Sequence, residues 1–186
     1  KKKAFLNQFK LLQIRSAELC AKLISMHKET RFTMAEKLPK SYQAMLALEK
    51  TLWGPGTVLP ASLKFLVKIR ASQINNCAFC IDMHTMEAER KGEQPQRIYL
   101  LSAWQETEIF SAEEKLAFQI TEVLTLMVKE GLSDELYEKG KAQWGSEGLA
   151  ELLMLITAIN AWNRIAVSTR LGDGIRLQRP AASLSN

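Results

Sequence analysis

Two cysteines and a histidine lie close together near the middle of the chain, as Cys77, Cys80 and His84. His84 is four residues after Cys80 and seven after Cys77, so a helix would carry all three side chains on one stripe. A histidine one turn from a thiol can accept its proton or stabilise its anion, which is the pairing that a sulfur nucleophile needs. The C-x-x-C spacing also lets the second sulfur form a disulfide with the first. The segment therefore predicts thiol chemistry.

The start of this helix is predicted to act on both thiols. Asn75 or Asn76 is a suitable N-cap, which would place Cys77 in the first turn and Cys80 in the second. Unpaired amides and the positive end of the helix dipole there favour the thiolate and lower a cysteine pKa from about 8.5. The dipole favours Cys77, whereas His84 favours Cys80 and can shift a thiol pKa by more. We therefore predict that Cys80 is the attacking sulfur.

A C-x-x-C pair also occurs in structural zinc sites, which need four ligands. Beyond the three residues above, the sequence offers only Cys20 and His27 as further Cys or His ligands. A second C-x-x-C and a His pair are both missing, which disfavours zinc. A pair of inert buried cysteines with a core histidine is also disfavoured, because the pair starts a helix with the histidine in phase. We predict no metal and no cofactor.

The composition is that of an ordinary globular domain. The chain has 186 residues, of which 47% are hydrophobic and 24% charged. The net charge of +5 comes from 25 basic and 20 acidic residues. The excess lies in the first fifteen residues, which hold no acid and five bases: Lys1, Lys2, Lys3, Lys10 and Arg15. The rest of the chain is balanced, so nucleic acid is not a predicted partner.

The apolar segments are too short to predict a membrane span. A span needs about 20 apolar residues, and the best candidate, residues 149–161, is interrupted by Glu151 and Asn160. That segment is predicted to be a buried helix, in which Asn160 and Asn163 are expected to order a pocket or a subunit contact. Three cysteines do not indicate a secreted disulfide scaffold, so we expect a cytoplasmic protein with one redox pair.

The hydrophobic pattern is helical along the chain. No stretch alternates with period two, and capping signals such as Ser111 with Glu114 mark helix starts. We predict an all-α fold of about eight helices, placed near residues 5–26, 39–53, 60–74, 77–91, 95–104, 112–127, 134–144 and 147–172. Residues 1–37 are predicted to be a helical extension, residues 38–172 the main domain and residues 173–186 a C-terminal arm. Trp104, Trp144 and Trp162 are expected in the core or an interface.

The segment around Cys77 resembles the alkylhydroperoxidase D-like, or carboxymuconolactone decarboxylase-like, superfamily, whose peroxidase branch has a C-x-x-C-x-x-x-H motif. Further similar segments are Lys68–Asn75, Thr85–Glu89, Leu101–Trp104, Phe110–Leu116 and Ile159–Arg164. The resemblance covers about residues 38–170. It implies an all-α fold, assembly into trimers, hexamers or other rings, and disulfide-based reduction of organic hydroperoxides in which the second cysteine meets the peroxide.

The chain departs from the family pattern at two positions. The family's proton relay has a Glu twelve residues before the first cysteine, where this chain has Phe65. Family members can also carry a titratable residue before the second cysteine, where this chain has Phe79. Neither phenylalanine can move a proton, so the relay is reduced to Cys77, Cys80 and His84 and the activity could be lower. Another acid from elsewhere in the fold could replace the missing one, and Glu49 and Glu89 are the candidates.

These observations favour a thiol peroxidase. The Cys80 thiolate would attack the peroxide, Cys77 would resolve the resulting sulfenic acid to a disulfide, and His84 would accept and donate the proton. A dithiol partner would regenerate the pair. The alternatives are a disulfide oxidoreductase acting on protein thiols and an oligomeric redox sensor without enzymatic activity. Decarboxylase chemistry is disfavoured because it does not require a C-x-x-C pair.

Overall fold

A computed structural model describes residues 29–127 and 130–174, and within them the chain forms seven α-helices, two short 3-10 helices and no strand. The α-helices are α1 Met34–Lys37, α2 Pro39–Thr51, α3 Ala61–Ile74, α4 Ala78–Arg90, α5 Pro95–Leu100, α6 Ala112–Thr125 and α7 Asp134–Thr169. The 3-10 helices are Leu101–Glu106 and Leu171–Gly174. The all-α prediction is confirmed. The helix predicted over residues 5–26 and residues 175–186 of the arm lie outside the described residues.

Local sequence signals set most helix starts. Pro39 occupies the first turn of α2, where its missing N–H costs nothing. The Ser111 hydroxyl accepts from the Glu114 amide, and the Glu114 carboxylate accepts from the Ser111 amide, so the predicted capping box opens α6. Ser133 caps α7 in the same way, by accepting from the Leu136 amide.

Helix α3 is the centre of the fold, since it packs against α4, α6 and α7. Its Leu66, Val67 and Ile69 are completely buried. The apolar faces of α6 and α7 meet it on one side, and α5 with the first 3-10 helix covers the other. This packing fixes the end of α3, from which the chain turns directly into the C-x-x-C segment.

Helix α7 is interrupted at Gly145. This residue has φ 70° and ψ 179°, a conformation that L side chains rarely adopt, so Trp144 and Ser146 belong to two helical segments. The break agrees with the predicted boundary between residues 134–144 and 147–172. Among the described residues, α7 alone is long and apolar enough to cross a membrane, but 50% of its most apolar window is buried within the fold.

The structure corrects two predicted boundaries. The helix predicted over residues 95–104 ends as α5 at Leu100, and the following turn is a 3-10 helix in which Ala103 has φ −120°. Trp104 is buried there and donates to Glu122 Oε1 over 2.7 Å, an interaction that spacing along one helix does not reveal. Pro60, predicted as the first helical residue, is the N-cap of α3, with an extended ψ of 145°.

Candidate active site

A disulfide joins Cys77 and Cys80 at the start of α4. Cys77 is itself the N-cap, because its sulfur accepts from the Cys80 amide over 3.3 Å. This corrects the prediction that Asn75 or Asn76 caps the helix: Asn75 ends α3, and Asn76 has a left-handed φ of 53°. Cys80 consequently lies in the first turn of α4 rather than the second, so the helix dipole acts on both sulfurs.

Hydrogen-bonded amide side chains hold the turn between α3 and α4 against α7. The Asn75 side chain donates to Asn160 Oδ1 over 2.8 Å and to Asn163 Oδ1 over 2.9 Å. Asn163 donates in turn to Ser72 Oγ over 3.0 Å, and Asn160 to Thr125 Oγ1 over 3.0 Å. Within the chain, these two asparagines thus order the base of the site. They link α7 to the end of α3 and so fix the position from which Cys77 begins α4.

His84 lies one turn after Cys80 on α4 and is 4% exposed. Its Nδ1 is 2.8 Å from Glu87 Oε2. The hydrogen bond with His84 lowers the pKa of the Glu87 carboxyl, so this group is ionised and can only accept. Nδ1 must therefore carry the hydrogen, which leaves Nε2 of the neutral ring as the proton acceptor.

Burial sets the charge state of this histidine. Loss of solvent lowers the pKa of His84 below its ordinary value, and the nearby Lys68 charge acts in the same direction. The hydrogen bond that His84 donates to Glu87 opposes both effects, without reversing them. The imidazole is therefore neutral near pH 7 and available as a base.

A second acidic group, Glu49, is held by three donors from three helices or turns. Lys68 forms an ion pair with Glu49 Oε1, Trp53 Nε1 donates to the same oxygen over 3.1 Å, and Trp162 Nε1 donates to Oε2 over 3.3 Å. Burial by itself raises the pKa of Glu49, but Lys68 and the Trp53 hydrogen bond bring the pKa below its ordinary value. Glu49 is therefore a fixed anion, poorly suited to donate a proton.

These groups surround a cavity of about 850 Å³ between α2, α4 and the end of α7. Cys80, His84, Glu87, Glu49 and Lys68 all contribute to its wall, whereas Cys77 does not. The cysteine of the pair that lines the cavity is therefore the one nearer to His84 along the helix. Trp162, expected in the core or an interface, lines this cavity; the indole gives no signal in the sequence that links it to a carboxylate 113 residues away.

The positions that depart from the family pattern can now be placed. Phe65 lines the cavity and packs against the Trp53 ring, with centroids 4.7 Å apart, and Phe79 lines the cavity beside Cys80. Of the two candidate replacement acids, Glu49 is in the cavity wall and Glu89 is not. Glu87 was not singled out from the sequence, although its position three residues after His84 on a helix is a usable signal.

No group of three or more His, Cys, Asp or Glu side chains that could hold a metal ion occurs in residues 29–127 and 130–174. Both sulfurs of the pair are in the disulfide. Cys20 and His27, the other ligands considered for zinc, lie outside the described part of the chain. The arrangement at the start of α4 is a disulfide at a helix terminus with a buried histidine one turn away.

Comparison with known proteins identifies the family. The model of the carboxymuconolactone decarboxylase family matches residues 39–123. YdfG of Bacillus subtilis, an uncharacterized protein, is 39% identical over 138 residues, which is 74% of this chain and 92% of YdfG. The chain therefore belongs to the carboxymuconolactone decarboxylase family, which confirms the resemblance found in the sequence.

Solved structures agree with this assignment. A protein of unknown function from Agrobacterium tumefaciens, described as a candidate AhpD antioxidant defence protein, superposes with a TM-score of 0.72 at 35% identity, over 76% of this chain and 96% of that protein. The debrominase Bmp8, solved with 2,3,4-tribromopyrrole, superposes with a TM-score of 0.64 at 16% identity, over 73% of this chain and 71% of Bmp8, and shares the fold alone. Family and disulfide together support a redox role.

Proposed function

We propose that this protein is a thiol-dependent peroxidase that reduces organic hydroperoxides through the Cys77–Cys80 pair. The observation that carries the proposal is that Cys80 and His84 share one cavity wall, while Cys77 lies behind, bonded to Cys80. An attacking sulfur must meet the peroxide, whereas a resolving sulfur needs only to reach the attacking one. The similarity to the AhpD-like protein of Agrobacterium tumefaciens supports the same reading.

The reaction proceeds in two steps from the reduced pair. His84 Nε2 takes the Cys80 proton, and the thiolate attacks the terminal peroxide oxygen. The O–O bond breaks, and the leaving alkoxide receives the proton from His84 and departs as the alcohol. Cys80 is now a sulfenic acid, which the Cys77 thiol attacks to form the disulfide and release water. Two electrons pass from the sulfur pair to the peroxide.

Glu87 supplies what the family's relay acid would otherwise provide. Its carboxylate keeps the hydrogen on His84 Nδ1 and stabilises the imidazolium that forms when Nε2 takes the proton. Glu49 is a weaker candidate for that role, because Lys68 and two indoles hold it as an anion. Glu87 thus acts through His84 as a positioning residue.

Regeneration needs a dithiol, which returns two electrons and two protons to the disulfide. Both cysteines are almost completely buried, at 1% and 2% exposure, so the reductant must enter through the cavity that Cys80 lines. A broad protein surface does not fit that requirement, which disfavours the alternative of a disulfide oxidoreductase acting on folded protein thiols. We expect the enzyme to work without metal or flavin, as a homo-oligomer in the reducing cytoplasm.

Steady-state turnover of tert-butyl hydroperoxide with small dithiol reductants tests the proposal. We expect peroxide to be consumed with equal loss of dithiol, and both to stop in Cys80→Ser. Reduction of an insulin disulfide by the reduced protein, without any peroxide consumption, would instead favour the disulfide oxidoreductase. A protein that undergoes the thiol–disulfide change but turns over neither substrate would be a redox sensor.

A further inference from the structure

The cavity is much larger than a hydroperoxide group requires. At about 850 Å³ it lies near the upper end of the range in which protein cavities enclose whole small ligands. Most of its wall is apolar, including the side chains of Met34, Tyr42, Leu46, Met83, Ile165 and Leu171. Water alone is a poor occupant of such a surface. The geometry therefore calls for a substrate with a sizeable apolar body.

The charges in the wall are unevenly compensated. Glu49 is paired with Lys68, and Glu87 is bonded to His84. Arg90 and Lys91, at the end of α4, have exposed side chains that line the cavity, and the Arg90 charge helps to lower the pKa of the Glu87 carboxyl. This end of the cavity therefore presents two exposed cationic side chains beside a single carboxylate, Glu87, and this excess of positive charge suits an anionic group such as a carboxylate.

The reactive and cationic groups lie at opposite ends of one helix. Cys80, His84, Glu87 and Lys91 recur at successive turns along the same face of α4, and all four line the cavity. At a rise of about 1.5 Å per residue, Lys91 lies roughly 16 Å beyond Cys80 along the helix axis. A ligand that reaches both must be long, with its reacting group well separated from its charge.

We propose that the substrate is the hydroperoxide of a long-chain carboxylic acid, bound with its carboxylate at Arg90 and Lys91, its chain on the apolar wall and its peroxide at Cys80. This inference rests on the proposed peroxidase function and names its substrate class. The reaction is the same as that written above: the hydroperoxy acid becomes the hydroxy acid and water, and the reduced Cys77–Cys80 pair becomes the disulfide. The hydrocarbon chain and the carboxylate of the substrate are not altered and serve only to bind and orient it.

Binding can be measured without turnover, because two of the four tryptophans, Trp53 and Trp162, line the cavity. The oxidised protein is titrated with a long-chain unsaturated fatty acid below its micelle concentration, and separately with its methyl ester, while indole fluorescence is followed. We expect both to bind, with the acid tighter by about three- to tenfold, the range for one or two exposed ion pairs. Raised salt should remove this difference.

The matched variants test the position of the charge. Arg90→Ala with Lys91→Ala should make acid and ester bind equally. Lys139→Ala with Lys141→Ala removes two exposed cations from α7 that are not part of the cavity wall, and should keep the acid's preference. Equal binding of acid and ester by the wild-type protein, or a preference that survives in the Arg90 and Lys91 variant, would overturn the inference. So would the failure of both ligands to bind.

Turnover separates this inference from the proposed function. If the wild-type protein reduces tert-butyl hydroperoxide but shows no lower KM for the fatty-acid hydroperoxide than for its methyl ester, the substrate class is wrong and the peroxidase stands. If the fatty acid binds as expected but none of the three hydroperoxides is reduced, the cavity is an acyl carboxylate site and the peroxidase proposal fails. A lower KM for the acid alone supports both.

Discussion

His84 donates its Nδ1 hydrogen to Glu87 Oε2 over 2.8 Å, three residues further along the same helix. This bond fixes which ring nitrogen faces away from the carboxylate as the free base. It also places an acid in the same cavity wall as Cys80, although Phe65 stands where the family resemblance implies a relay Glu. The same helix therefore carries the proposed nucleophile, the proposed base and the group that would orient that base.

Replacing Glu87 with Gln should slow peroxide reduction and change its dependence on pH. Glu87 raises the pKa of His84, so the substitution lowers that pKa further. In the proposed mechanism neutral His84 is the active form, so activity should be lost as the pH falls through its pKa. The acid limb of kcat/KM should therefore move to lower pH, while kcat falls by about tenfold or more because the imidazolium is less stabilised.

Glu138→Gln is the matched control for this variant, because Glu138 is an exposed carboxylate on α7 outside the cavity wall. Its kcat and acid limb should equal those of the wild type. A rate loss in Glu87→Gln with an unmoved acid limb would mean that Glu87 supports only the fold around His84.

The two cysteines should be distinguishable by trapping the first oxidation product. Cys80 lines the cavity and Cys77 does not, so Cys77→Ser should form a sulfenic acid at Cys80 with one equivalent of peroxide. Cys80→Ser should form none at Cys77. Dimedone labelling followed by mass spectrometry reads both outcomes, and the wild-type protein should lose two thiols on mild oxidation while Cys20 is retained. The opposite labelling pattern would make Cys77 the nucleophile.

Phe65→Glu should raise peroxide turnover. The side chain already lines the cavity, so a carboxylate at this position would face into it. A working general acid or base contributes about 10²–10⁴-fold, so even partial restoration is measurable. Phe65→Gln is the control, because glutamine has the shape of glutamate without its charge. Equal rates in Glu, Gln and wild-type proteins that are all folded would mean that Glu87 and His84 already suffice.

The buried ion pair between Lys64 and Glu151 should have a large effect on stability when only one partner is removed. Lys64 Nζ lies 2.6 Å from Glu151 Oε1, and the two side chains are 2% and 11% exposed. Lys64→Met leaves a buried carboxylate without its cation, so the free energy of unfolding should fall by about 3–5 kcal/mol.

Adding Glu151→Gln to Lys64→Met should recover much of this loss in urea unfolding. The glutamine oxygen can still accept from the Val58 and Leu59 amides, which donate to Glu151 over 2.6 and 3.3 Å. A double variant no more stable than the single one would show that the Lys64 hydrogen bond to Leu52 O, rather than the charge, is what matters.

The protein should be oligomeric in solution. Met154 and Val167 on α7 and Val58 in the loop before α3 are large apolar side chains that are 45%, 50% and 53% exposed. Light scattering at micromolar concentration should give a mass that is a multiple of 21.0 kDa, with a trimer or hexamer expected. A clean monomer would contradict this prediction.

The parts of the fold that the sequence predicted well are those decided by neighbouring residues. The Ser111 and Ser133 caps, the Pro39 start and the break at Gly145 each follow from the chemistry of a few adjacent positions. The cap of α4 was wrong because an asparagine before a helix is a strong cap signal, whereas here Asn75 is bonded to two asparagines of α7. Hydrogen bonds to another helix thus outweighed the local preference of asparagine for the N-cap position.

The candidate site was predictable along one helix and not across helices. The spacing of Cys77, Cys80 and His84 was sufficient to place them together, and the resemblance extended this to the whole fold. The hydrogen bond from Trp162 to Glu49 could not be predicted without knowing that α2 and α7 meet, because the two residues are 113 positions apart in the sequence. The depth and apolar character of the cavity have the same origin in helix packing.

The cap formed by the Cys77 sulfur has a consequence for how the oxidation state can be read. Its sulfur accepts from the Cys80 amide, so the acceptor of the first hydrogen bond of α4 is a redox-active atom. In the reduced pair the helix terminus favours negative charge on this sulfur, and a charged sulfur is a stronger acceptor than a disulfide sulfur. Oxidation is therefore expected to weaken the restraint on this one backbone amide. The hydrogen of the Cys80 amide should then exchange faster in the oxidised protein than in the reduced protein, so its exchange rate would report the redox state of the pair during turnover.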